Sequence, residues 1–309
     1  MQWFTHQFVR SNITVTRRLR PTHLVFPLIA VLLTAPPAFA ARPISILAAE
    51  NFYGDVAQQI GGENAKVVSV LSNPNQDPHL FEVSPSVARN VSNAKIVIYN
   101  GIGYDPWIEK LLAAARNPDR TVIDVAKITG RKPGDNPHIW YDPATVLALA
   151  KTLTTDLCRD DPVHTAGYQR RMAQFRQSLE PIRTKIAALR QRFVNTPMTA
   201  TEPVFGYMLK ALGMQVRNLG FQLAVMNNTE PGASTIAALE DDLRRHRVRL
   251  LVYNRQTSTP MTERILAIAR SSRIPVVAVT ETEPPDINYQ TWMLNELDAV
   301  EQALSKQAS

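Results

Sequence analysis

Two histidines in this chain are placed alike. His79 lies in "NPNQDPHLFEVSPS" and His138 in "DNPHIWYDPATV". Each directly follows a proline and stands a few residues ahead of a capped helix start, Ser84-Pro85 in the first case and Asp142-Pro143 in the second. Two glutamates have a related setting. Glu202 follows the strand candidate in "PMTAT" and precedes Pro203, and Glu281 follows "IPVVAV" in "TETEPP". Two neutral imidazoles and two carboxylates supply nitrogen and oxygen donors whose charge offsets that of a divalent cation. The set contains no thiolate, which suits Zn2+ or Mn2+ better than Cu+. Taken singly, Glu202 reads equally well as an acid favoured by a helix dipole, and Glu283 competes with Glu281 for the fourth place. Beyond residue 40 the chain has two other histidines, His164 in "DPVHTA" and His246 in "RRHRVR". Their polar surroundings read as solvated surface.

The elements that must position these residues alternate between strand and helix. "ISILAA", "AKVVSVLS", "IVIYNG" and "TVIDV" read as buried strands, separated by helical stretches such as "NFYGDVAQQIGG". The second half repeats the rhythm with "RLLVYN", "IPVVAV" and the closing helix "YQTWMLNELDAVEQAL", and "TEPVFGYMLKALG" reads as a helix from Thr201 to a Gly213 stop. This pattern predicts an α/β fold of two βα lobes with parallel sheets. Between the halves, Tyr168, Met172, Phe175, Leu179, Ile182, Ile186, Leu189 and Phe193 recur at alternating spacings of four and three. That is one apolar stripe on a helix of about 30 residues, roughly 45 Å long, bent or missing a hydrogen bond at Pro181. It reads as a spine joining the lobes. The expected division is a signal over 1–40, an N-terminal lobe over 41–162, a linking helix over 163–194 and a C-terminal lobe over 195–309. All four candidate ligands then fall where strands end and helices begin, which is where open α/β sheets bind ligands, in a cleft between the lobes.

Composition sets the compartment. The chain has 309 residues, 45% hydrophobic and 20% charged, as in an ordinary globular protein. Its first forty residues carry Arg10, Arg17, Arg18 and Arg20, then the apolar run "LVFPLIAVLLTAPPAFA", and no acid occurs before Glu50. This is the pattern of a secretory signal cleaved after Ala40. Without it the net charge falls from +7 to +3 (30 basic minus 27 acidic residues), so the basicity belongs largely to the signal and does not point to nucleic acid. The single cysteine, Cys158, forms no intramolecular bridge and is far from the signal end. A soluble monomer in a Gram-negative periplasm is expected.

The stretches "DPHLFEVSPSVARNVSNAKIVIYNGIGYDPWIEKL", "NPHIWYDPATV", "TEPVFGYMLKALG" and "PVVAVTET" resemble, in order and spacing, the four metal loops of the periplasmic zinc/manganese solute-binding receptors of ABC importers. The resemblance covers essentially the whole chain beyond the signal. It implies that His79, His138 and Glu202 are metal ligands, with Glu281 where that family usually has aspartate. It further implies delivery of the ion to a membrane permease driven by a cytoplasmic ATPase. There is no His-rich acidic loop of the kind common in zinc receptors, and a glutamate stands at the third ligand position where those have histidine; both lean towards manganese. Two other readings compete. A zinc hydrolase needs an open coordination position and a poised base, but there is no H-E-x-x-H and no third histidine near the first two. A metal buffer or adhesin without transport would use the same site.

Overall fold

The structure, a computed structural model, describes residues 42–75 and 78–306, with the isolated residues 12, 14 and 16. The apolar run and cleavage position expected of an export signal lie outside the described residues. No helix among the described residues is long and apolar enough to cross a membrane.

The first lobe runs β1 (Ile44–Glu50), α1 (Asn51–Gly61), β2 (Ala65–Leu71), α2 (Pro85–Asn93), β3 (Ile96–Tyr99), α3 (Pro106–Ala114), β4 (Thr121–Asp124), α4 (Val125–Ile128) and α5 (Pro143–Asp160). Its sheet is parallel, in the order β2-β1-β3-β4. The central strand β1 is apolar almost throughout, because helices cover both faces of a parallel sheet. Local chemistry sets the boundaries. The chain leaves α1 through Gly62 at φ 59°. The Ser84 and Asp142 side chains accept the N–H groups of Val87 and Ala144 at the starts of α2 and α5, each with proline in the first turn.

Two helices follow, α6 (Thr165–Ser178) and α7 (Glu180–Phe193). They are the expected spine, broken at Leu179. Pro181 has no N–H to donate to the preceding turn, so the helix restarts with that proline in its first turn. The apolar stripe is the buried face: Tyr168, Phe175, Leu179, Ile182 and Leu189 are buried, and Met172, Ile186 and Phe193 pack against the same core. The α6 half lies on α1 and α5, and the α7 half lies on the last helix of the chain.

The second lobe runs β5 (Pro197–Ala200), α8 (Gly206–Ala211), β6 (Gln215–Val216), α9 (Leu219–Met226), α10 (Ala233–Arg244), β7 (Leu251–Asn254), α11 (Pro260–Ser271), β8 (Val276–Val279) and α12 (Tyr289–Ser305). Its sheet is parallel in the order β6-β5-β7-β8, the same permutation as the first. The helix expected from Thr201 is shorter: Pro203–Phe205 forms a single tight turn and α8 begins at Gly206. The lobes share one apolar core, which runs from Ile46 in β1 to Leu304 in α12. Its centre is aromatic: Phe52 stacks on Trp140 with centroids 4.7 Å apart, and Tyr141 packs on Phe205 and Trp292 from the other lobe. A dry aromatic floor of this kind resists wide separation of the lobes.

Candidate metal centre

The residues of interest come from the carboxyl ends of both sheets. His79 sits in a single turn, Pro78–Leu80, after β2, and His138 directly precedes the turn Ile139–Tyr141 that leads into α5. Glu202 follows β5 and Glu281 follows β8. The structure brings three of them together. One donor atom each from His79, His138 and Glu281 lie within 4.8 Å of one another. The Nε2 atoms of His79 and His138 are 3.5 and 3.4 Å from the same oxygen, Glu281 Oε2. His138 and Glu281 are buried, and the His79 side chain keeps 20% of its surface exposed, at the mouth. Donors bound at about 2.1 Å to one tetrahedral ion stand about 3.4 Å apart, which matches the distance of each imidazole nitrogen from Glu281 Oε2.

The His138 ring is oriented from behind. Its Nδ1 is 2.7 Å from Asn136 Oδ1. An amide oxygen only accepts, so Nδ1 carries the proton and Nε2 presents its lone pair. That Nε2 is buried and has no hydrogen-bond partner among the described residues. Tyr104 lies edge-on to both imidazoles, with centroids 5.4 and 6.0 Å away. Its hydroxyl donates to Glu281 Oε2 at 3.0 Å. Burial and the Glu281 carboxylate both push the Tyr104 phenol up, so it remains a donor.

Glu281 is the most constrained of the four. Its backbone N–H, with that of Thr282, donates to Gln256 Oε1. Its Oε1 accepts from Asn254 Nδ2 at 2.6 Å. Burial alone would raise its carboxyl, but the imidazoles of His138 and His79 beside it outweigh that and hold it well below the usual range. It is therefore an ionised donor at neutral pH. Glu202 stands outside the group of three, buried, with its Oε2 accepting from the same Asn254 nitrogen at 2.5 Å. Two oxygens sharing one hydrogen-bonding nitrogen are at most about 5 Å apart, so Glu202 reaches the others through Asn254.

Glu283 points elsewhere. Its carboxyl is pushed up to about 9 by burial and by Asp55, which leaves it protonated and a poor cation ligand at neutral pH. His164 pairs with Asp161 at 2.6 Å on the periphery, and His246 is exposed. Beneath the site, burial and Asp105 hold the Glu50 carboxyl protonated, and Asp105 accepts the N–H groups of Asn100 and Gly101. This pairing fixes the loop that carries Tyr104.

A model of the family "zinc-uptake complex component A, periplasmic" (ZnuA) matches residues 46–303. The chain belongs to that family. Among its relatives, a Treponema pallidum protein named for metal binding is 26% identical over 282 residues, covering 84% of this chain and 86% of the relative. The manganese ABC transporter substrate-binding lipoprotein PsaA of Streptococcus anginosus is 23% identical over 308 residues, covering 91% and 96%. Among solved structures, the periplasmic zinc binding protein TroA from Treponema pallidum superposes with a TM-score of 0.71 at 17% identity, over 85% of this chain and 99% of that one. The two-lobe fold is therefore that of the family, and the chain is a substrate-binding protein of metal ABC transporters rather than an enzyme.

Sequence reasoning missed Asn136, Tyr104, Asn254 and Gln256. Two of them carried a signal. Asn136 stands two residues before His138 in "DNPH", and Asn254 ends a strand adjacent to the one that Glu202 follows. In a sheet ordered β6-β5-β7-β8, the connections diverge between β5 and β7, the place where ligands collect.

Proposed function

We propose that this chain captures one divalent transition-metal ion, Zn2+ or Mn2+, outside the cytoplasm and delivers it to an ABC permease and its ATPase. His79, His138 and Glu281 are the ligands, and Glu202 completes the set from the second lobe. The observation that carries this reading is the spacing of the donors: two imidazole nitrogens at 3.4 and 3.5 Å from one buried, ionised carboxylate oxygen. Such a group is costly to bury unless a bound cation or a proton offsets its charge. The names of the relatives support a transport role and both metals. Location in the periplasm, after removal of residues 1–40, completes the proposal.

Two carboxylates and two imidazoles would leave little coordination for an activated water, which suits carriage rather than hydrolysis. Imidazole protonation competes with metal, so affinity declines at acid pH. The test is competitive titration of chelator-stripped protein with Mn2+ and Zn2+. One ion per chain is expected, lost in His138→Ala and retained in His246→Ala. Failure of the unsubstituted protein to take up either ion rejects the reading.

A further inference from the structure

One face of α1 carries a row of polar side chains, Asn51, Asp55 and Gln59, spaced at four residues so that they stack along the helix. None of them reaches the donor atoms. Each reaches across to the second lobe, Asn51 to the segment between Glu281 and α12, and Asp55 and Gln59 to the first turn of α12. Asn51 Nδ2 donates to the Glu283 carbonyl at 2.7 Å, and the Glu283 N–H donates back to Asn51 Oδ1 at 3.0 Å. Asp55 Oδ2 accepts the N–H of Tyr289, the first residue of α12, at 3.0 Å. Gln59 and Gln290 exchange reciprocal amide hydrogen bonds at 3.0 and 2.9 Å, and Gln290 Nε2 also reaches Ser178 Oγ at 2.6 Å. Ser178 is the last residue of α6, at the break in the spine.

These contacts differ in kind from ordinary surface pairs. Asn51 satisfies both backbone groups of one residue with one side chain, as a strand neighbour would, so it fixes the main chain two residues from Glu281. The segment it holds is short of regular structure: residues 281–288 form no helix or strand before α12 begins. From the second lobe, Gln256 holds the same segment at the Glu281 and Thr282 N–H groups. The main chain from Glu281 to Glu283 is thus gripped from both lobes without any ion bound.

We propose that Asn51 is a positioning residue for metal binding: with Asp55 and Gln59 it latches the Glu281 segment onto the first lobe, so that the carboxylate is already in place beside the two imidazoles when the ion arrives. This rests on the reading of Glu281 as a ligand. Preset ligands lower the cost of binding and act mainly on the rate at which the ion leaves. Truncating Asn51 frees the segment without touching a donor atom.

The experiment is a double-substitution cycle on the full chain, read as the dissociation constant and dissociation rate of Mn2+ and Zn2+, with the melting temperature of the metal-free protein alongside. Asn51→Ala is expected to weaken binding about tenfold, the scale on which groups supporting metal ligands act, through faster dissociation. In the Glu281→Ala background, Asn51→Ala should add less than about a twofold change, because the residue it positions is gone. Asn51→Ser, a smaller side chain that keeps one hydroxyl able to hydrogen-bond, covers the case in which the alanine variant does not fold, and the same cycle is expected. Equal affinity in Asn51→Ala and the unsubstituted protein overturns the proposal. So does an equal loss in both backgrounds, which would mark Asn51 as a general stabiliser. If Glu281→Ala itself leaves affinity unchanged, the ligand assignment fails first, and that outcome is separate from the others.

Discussion

Asn254 Nδ2 lies 2.6 Å from Glu281 Oε1, and the same nitrogen lies 2.5 Å from Glu202 Oε2. One neutral amide thus stands between two buried carboxylates that would otherwise repel each other. The amide is itself held, because its Oδ1 accepts the N–H of Gln256. The arrangement lets both acids stay close to a common point while each keeps an oxygen directed elsewhere. Removing the amide in Asn254→Ala leaves two facing carboxylates with nothing between them. The expected result is a loss of metal affinity of about 10- to 100-fold, with lower stability of the metal-free protein. Asn254→Asp should weaken metal-free stability further by adding a third buried acid. Isothermal titration and thermal unfolding, with and without metal, check both outcomes.

The two neighbouring glutamates separate cleanly by environment. Glu281 is held ionised against two imidazoles, whereas Glu283 is held protonated by burial and Asp55 and makes its hydrogen bonds to Asn51 through the backbone. Glu281→Gln, which keeps shape and removes charge, should lower affinity by at least about 100-fold, since an ionised ligand is lost. Glu283→Gln should change it by less than about threefold, within ordinary variation for a residue that contributes no ligand atom. Glu202→Gln is expected to fall between, because its carboxylate must leave Asn254 to join the ion. Comparing the three dissociation constants at one pH decides the order.

Much of this was legible in the residues. The alternation of strands and helices, the apolar stripe from Tyr168 to Phe193 and its interruption near Pro181 follow from periodicity and backbone chemistry, and all appear in the fold. So did the convergence of His79, His138 and Glu281, because strand ends are where α/β sheets gather ligands. What stayed hidden depended on side chains meeting across long sequence separations. Asn51 meets Glu283 and Tyr104 meets Glu281 only once the lobes dock. No local spacing records that docking, nor the aromatic floor of Phe52, Trp140 and Trp292 that enforces it. The choice between Glu281 and Glu283 was equally invisible, since identical side chains two residues apart differ only in what surrounds them.

Asn136 gives a test of ring orientation. It accepts the proton on His138 Nδ1 and donates from Nδ2 to the Pro203 carbonyl at 2.6 Å, next to Glu202. One side chain therefore sets the tautomer of one imidazole and the position of a second-lobe acid. Asn136→Ala should cost about tenfold in affinity. Asn136→Asp keeps an acceptor for the imidazole but loses the donor to Pro203. It should recover the His138 tautomer, visible as a restored Nδ1–H signal in nitrogen-15 spectra of labelled histidine, while leaving part of the affinity defect.

Buried acids away from the ligands predict the pH profile of stability. Burial and Asp55 push Glu283 up to about 9, and burial pushes Glu296 up to about 8 despite hydrogen bonds from Tyr141 and Trp292. A carboxyl whose folded value is raised binds its proton more tightly when folded. Its contribution is therefore intact below the unfolded value and is lost as pH rises towards the folded one. Metal-free protein should accordingly be most stable near pH 5 and lose stability steadily up to about pH 8 to 9. Glu283→Gln and Glu296→Gln remove the titrating proton but keep the shape. Each should flatten that decline and raise the melting temperature at pH 8 by on the order of 5 °C, with little change at pH 5. Melting curves across that range, in chelator so that metal linkage does not intrude, decide it: parallel curves for the variants and the unsubstituted protein would show that these carboxyls are ionised in the fold.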